Sequence, residues 1–331
     1  MEGYSHVRAI GRDVKLEEKL NFAWRAPLLQ EWDDLSSALS SAAQFLGTKP
    51  VKLNCPDLVL RFDLSETQRK LLDFTFVPRY SAALEKDEKP REHFLFQECG
   101  ERMVDLRAGS VERGLRLMWS STPFDAACGE FAGKPRIFWL RESVAEVFWK
   151  MVAAYNAIDL VPQVEDAYRP PAVQEGLFRR RVKLVREKNP TLSVEAVLLE
   201  VYAKTAPAPY RAAHMAGAAI DFTLRENDGK PLDLGNPYPT GGAATILEFP
   251  YVTWPQFRTR SLFSSISIMA GLFPYPGEDW HVSKGDALAG IGEGLTTVKY
   301  CALKDFNRAT GEVAPYDPVE ARKAYPYEEL L

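Results

Sequence analysis

The chain has 331 residues, 46% hydrophobic and 26% charged, with a formal net charge of −4. That length and mix suit one large or two moderate globular domains and argue against extensive disorder. The slight negative charge gives no reason to expect a nucleic-acid partner, and no run of about 18 apolar residues is present to span a bilayer.

Met1 to Leu20 alternates charge with single apolar residues and lacks the apolar stretch of a secretory signal, so a cytoplasmic location is expected. Cys55, Cys99, Cys128 and Cys301 are widely spaced without a C-x-x-C pair. They read as buried free thiols, not as a disulfide framework or a thiolate metal site.

Residues 1–135 carry the weaker pattern and read as an N-terminal extension packed on the core. Leu58 to Leu64 alternates as a strand, and Ser65 with Gln68 forms a capping box that opens a short helix. Glu85 to Glu92, charged and holding Pro90, reads as an exposed loop. The pattern sharpens over 136–305. Ser143 and Glu146 fit a second capping box ahead of an apolar stripe through Val144, Val147, Phe148, Met151, Val152 and Tyr155. Leu160 to Val164 reads as a strand running into Asp166. The run Arg179-Arg180-Arg181 reads as a solvated helix face.

Ser193 caps a helix in which Val194, Val197, Leu198 and Val201 face inward, and Pro207 and Pro209 end it. A further helix spans 262–270 and stops at Gly271. Gly290 to Gly294 reads as a turn, and Val298, Tyr300 and Ala302 as a late strand. Trp254, Phe257, Phe263 and Phe273 read by default as core, with the lining of a binding cleft as the alternative. Residues 306–331, rich in Pro, Tyr and charge, form a C-terminal tail over the surface. Helices and strands do not alternate regularly, which predicts an α+β fold and not a doubly wound sheet.

Only four histidines occur, and two of them, His214 and His281, stand in segments that also carry carboxylates. His214 and Asp221 are separated by a small-residue stretch whose Gly217 permits a turn before a strand over 219–223. Glu278 and His281 follow a Pro-Gly pair. Two imidazoles and a carboxylate form the ligand set of a hydrolytic zinc, with a fourth position for water. Glu278 is then the general base, and Arg169 is placed to stabilise an oxyanion. No Ser or Cys has a local base partner, so a covalent nucleophile is not expected.

These segments resemble the zinc D-alanyl-D-alanine dipeptidases, whose fold is shared with D-Ala-D-Ala carboxypeptidases and the hedgehog signalling domain. The family pattern S-x-H-x-x-G-x-A-x-D followed by E-x-W-H is matched by His214 to Asp221 and by Glu278-Asp279-Trp280-His281. Asp166-Ala167-Tyr168-Arg169-Pro170 is similar to the family's D-x-Y-R-P, and Leu232 to Tyr238 to its L-D-M-G-T-P-F. The resemblance implies a small antiparallel sheet with flanking helices around a zinc held by His214, Asp221 and His281, with Glu278 as base, Arg169 at the transition state, and a small peptide substrate of the peptidoglycan type. Two positions depart from it. The family serine that holds the substrate carboxylate is Ala212 here, and the aspartate that holds its ammonium group is Pro239. Those departures point away from free D-Ala-D-Ala towards a longer, blocked or modified peptide. The competing expectations are a biosynthetic amidohydrolase on another amide and a non-catalytic zinc-containing binding module.

Overall fold

The computed structural model describes residues 24–25, 27–53, 60–61, 65–88, 93–202, 205–206 and 209–322. Eight α-helices lie in these residues: α1 (Leu29–Leu46), α2 (Glu66–Glu88), α3 (Leu106–Glu112), α4 (Glu142–Asn156), α5 (Pro171–Lys188), α6 (Val194–Tyr202), α7 (Trp254–Ala270) and α8 (Ala287–Glu293). Five strands make the central sheet: β1 (Met118–Trp119), β2 (Leu160–Asp166), β3 (Ala219–Glu226), β4 (Phe273–Pro274) and β5 (His281–Ser283). Their order is β1-β2-β3-β5-β4, antiparallel throughout except for β1 beside β2. The fold is α+β.

Period-3.6 burial builds the helical layer. In α4, Val144, Phe148, Met151, Val152 and Tyr155 are all buried, and α7 packs beside it. On α1, Leu35, Leu39, Ala42 and Ala43 form one stripe in the same core as Phe222 and Ile220 of β3. Leu72, Phe76 and Tyr80 of α2 join them. Helices α1 and α2 therefore share the main core.

Several local expectations are corrected. The Ser65–Gln68 capping box exists, but the helix it opens has 23 residues and absorbs 85–88 of the expected loop. Residues 89–92, most of 58–64 and Cys55 lie outside the described residues. Helix α4 begins at Glu142 with Arg141 at its N-cap, because the Ser143 hydroxyl is spent on Tyr300 and Glu146 on Arg113. Helix α7 starts earlier than expected, at Trp254, behind a Thr253–Gln256 capping box, and ends at Gly271 as read. Trp254, Phe263 and Phe273 are buried and Phe257 is partly so.

The late strand is two short pieces, Thr297–Val298 and Leu303–Phe306, and the second forms a hairpin with Val313–Pro315 inside the expected tail. Gly290 to Glu293 is helical, capped by Asp286 through the backbone N–H groups of Leu288 and Ala289. A Cβ on Gly290 would come 2.3 Å from Val298, and one on Gly292 2.1 Å from Phe273, so these glycines serve close packing. Cys99 is exposed, whereas Cys128 and Cys301 are buried. Arg179 and Arg180 are exposed and pair with Glu175 and Asp125, but Arg181 is half-buried, so the basic run is not one solvated face. No helix among the described residues is long and apolar enough to cross a membrane.

Candidate metal centre

Sheet register brings the site together. Asp221 of β3 stands opposite His281 of β5 on one side and opposite Asp166 of β2 on the other. The β2–β3 register shifts between Val164 and Asp166, a bulge that re-aims the end of β2. His214 arrives from a 3-10 turn, Ala213–Ala216, that ends at Gly217 with φ 65°. A side chain at Gly217 would be strained there and would meet Met103 Sδ at 2.5 Å.

Ligand-capable atoms of His214, Asp221 and His281 lie within 4.8 Å of one another, and all three residues are buried. The two oxygens of Asp221 divide the work. Oδ2 accepts from Arg169 Nη2 at 3.0 Å and from the Tyr238 hydroxyl at 3.2 Å. Oδ1 is approached by His214 Nε2 at 3.2 Å and His281 Nδ1 at 2.9 Å.

The tautomer of His214 tests whether a cation fits. Its Nδ1 lies 2.6 Å from the carbonyl oxygen of Ala167, which only accepts, so Nδ1 carries the proton. In the neutral ring Nε2 is then a lone pair facing a carboxylate oxygen. That contact is favourable only with a proton or a cation at Nε2. A second ring nitrogen donating to a backbone carbonyl is also the usual outer support of a metal-binding histidine. Two imidazole nitrogens and one carboxylate oxygen form a donor set suited to zinc.

The electrostatics agree with this geometry. Burial alone would raise Asp221, but His214, His281 and Arg169 outweigh it and hold the carboxyl well below its usual range. Arg169 is desolvated, yet Asp166, Asp221 and Tyr238 keep its guanidinium above its already high value. Its Nε donates to Asp166 at 2.7 Å. Glu278 is half-buried, with Oε2 3.9 Å from His281 Nδ1. Burial raises its carboxyl above the ordinary value and the charge of Asp221 adds to this, while His281 and Arg169 oppose it.

Residues that sequence reasoning passed over complete the site. Arg136 holds Asp166 through Nη1 at 2.5 Å, so Asp166 ties two arginines. Arg260, buried, donates to the carbonyls of Leu234, Ile246 and Ala244 and to Asp279 at 2.9 Å. It thereby fixes the loop bearing Tyr238 against the residue after Glu278. Helix α2 grips the same loop, where Asp73 accepts from the Ala243 N–H at 2.7 Å. Arg181 is half-buried within the fields of Glu278 and Glu200 and makes no direct ion pair or hydrogen bond among the described residues. Burial, with Arg180 adding to it, lowers its guanidinium from the ordinary value. Of the two departing positions, Ala212 is buried and Pro239 exposed.

A family model described as D-ala-D-ala dipeptidase matches residues 134–300, just over half of the chain. The match takes in Arg169, His214, Asp221, Glu278 and His281. A D-alanyl-D-alanine dipeptidase from Synechocystis sp. (strain ATCC 27184 / PCC 6803 / Kazusa) is 26% identical over 230 residues, which cover 60% of this chain and 88% of that protein. On the strength of the family match, spanning both motif segments and the sheet that joins them, the chain belongs to the D-Ala-D-Ala dipeptidase family.

Proposed function

We propose that this chain is a zinc-dependent peptidase in which His214, Asp221 and His281 hold the metal, Glu278 is the general base and Arg169 stabilises the oxyanion. The observation that carries the reading is the convergence of His214 Nε2 and His281 Nδ1 on Asp221 Oδ1, with the other carboxylate oxygen already held by Arg169 and Tyr238. Zinc in such a site supplies Lewis acidity, polarising an amide carbonyl and making water more acidic.

The protein's own groups do the rest. Glu278, raised by burial, takes a proton from the attacking water and returns it to the leaving amine. Arg169 spends Nε on Asp166 and Nη2 on Asp221, which leaves Nη1 for the oxygen that becomes negative. Tyr238 and Arg169 together keep Asp221 from rotating away from the two imidazoles.

The substrate we favour is a peptide with a free carboxylate and a blocked or extended amino end. Ala212 and Pro239 cannot supply the hydroxyl and the carboxylate that the family resemblance assigns to those positions. Arg181, half-buried, within the electrostatic reach of Glu278 and Glu200 and without a direct ion pair among the described residues, offers a cation for a substrate carboxylate. Arg181→Ala is expected to raise KM roughly tenfold with kcat little changed, the pattern of a lost uniform binding contact. Steady-state kinetics on a carboxylate-ended peptide and on its amide will separate that from a structural effect, because the amide should show no change.

A substrate panel tests the reading as a whole: D-Ala-D-Ala, its N-acetyl form, longer peptides ending in D-Ala, and L-L controls. Faster cleavage of the blocked or longer peptides supports it. Preference for the free dipeptide would overturn the substrate assignment, and no cleavage of any member would overturn the peptidase assignment.

A further inference from the structure

A cavity of about 450 Å³ lies apart from the metal centre, where both flanking segments meet the family core. Four cationic side chains line it: Arg107, Lys134, Arg136 and Arg308. That concentration is notable in a chain of net charge −4. The single acid in the wall, Asp105, is already engaged, accepting the backbone N–H groups of Arg107 and Ala108. Arg136 is engaged too, through Asp166 and the Thr122 carbonyl.

The other three cations have no carboxylate partner among the described residues. Arg107 lies over the rings of Phe138, at 4.7 Å, and Trp119, at 5.6 Å. Lys134 lies 5.2 Å from the Phe131 ring. All three are exposed, so they form a rim, while Ile137 and Phe138 beneath are buried and Trp139 is half-buried. An apolar floor under an unneutralised cationic rim, at a volume typical of small-molecule sites, fits a ligand with an apolar body and an anionic end.

The architecture gives the cavity a reason of its own. Arg107 and Phe131 precede the family-matched residues 134–300, and Arg308 follows them. The segment Met103–Asp105 pairs with Trp139–Arg141, and the Gly311 carbonyl accepts from the Met103 N–H at 2.8 Å. Both flanks are thereby clamped at the pocket, although none of the proposed reaction residues lies in them. Arg136 joins the cavity wall to the Asp166–Arg169 pair.

We propose that this cavity is a second binding site, for a small molecule with a carboxylate or phosphate group on an apolar body of about the size of an aromatic ring. The site does not depend on the peptidase reading and is tested by binding alone.

The test is calorimetric titration of the full-length protein as purified with phenyl phosphate, phenylacetate, inorganic phosphate and phenol. At least one of the two aromatic anions is expected to bind saturably, more tightly than inorganic phosphate or phenol, and less tightly as salt is raised. Their relative affinities distinguish a phosphate site from a carboxylate site. The double variant Lys134→Glu/Arg308→Glu, with both changes on exposed side chains, is expected to weaken that binding by roughly tenfold or more while its melting curve stays unchanged. Arg107→Gln should weaken it by a smaller factor. Failure of both aromatic anions to saturate, or equal binding by the charge-reversed variant, would overturn the proposal. Equal binding would place the anion at the metal centre or nowhere specific.

Discussion

Replacing Glu278 by alanine is expected to lower kcat by about 10²- to 10⁴-fold while leaving bound metal and melting temperature essentially unchanged. The reason is a division of labour among carboxylates. Asp221 is the carboxylate on which both imidazoles converge, at 3.2 and 2.9 Å. Glu278 stands further off, 3.9 Å from His281 Nδ1, partly exposed, with its carboxyl raised by burial. A carboxylate so placed can exchange a proton with substrate without being needed to hold the cation. Metal analysis and turnover on the best substrate, measured on the same preparation, check this directly. Loss of metal with the activity would make Glu278 a ligand, and unchanged kcat would remove it as the base.

The second large effect concerns stability. Arg141 is fully buried and pairs with both oxygens of Glu98 at 3.0 Å, while its Nε donates to the Ala216 carbonyl at 2.9 Å. Glu98 also accepts the Cys301 N–H at 2.8 Å. Glu98→Ala would strand a buried guanidinium, which costs about 3–5 kcal/mol. At about 2 °C per kcal/mol for a chain of this length, the melting temperature should fall by roughly 6–10 °C. The exposed pair Arg102–Glu142 supplies the contrast, since breaking it should cost less than about 1 kcal/mol. Because Ala216 is in the turn that carries His214, metal affinity should fall with Glu98→Ala as well. Thermal melts of both variants, with and without added zinc, will show it. A shift no larger than that of the surface pair would mean that water replaces Glu98 and that the flank does not brace the site.

The site was legible where chemistry is rare. With four histidines in the chain, two of them spaced from carboxylates around Gly217 and behind Pro276-Gly277, few other arrangements were open. The helical stripe of α4 and the strand ending at Asp166 were legible because periodic burial leaves a periodic pattern. What escaped was pairwise and long-range. Arg141 with Glu98, Arg136 with Asp166 and Tyr238 with Asp221 join common residues across the fold and leave no local signature. The Ser143–Glu146 motif misled because tertiary partners, Tyr300 and Arg113, outcompeted the local cap. Gly290 to Gly294 looked like a turn because glycine count alone does not distinguish backbone freedom from the need to pack beneath Val298 and Phe273.

The most direct test of the central claim is elemental analysis of the full-length protein together with hydrolysis of a blocked D-Ala-ended peptide before chelation, after it, and after zinc is restored. The account predicts about one zinc per chain, turnover that falls with chelation and returns with zinc, and neither metal nor turnover in His281→Ala. Absence of bound metal, or turnover that survives its removal, would contradict it.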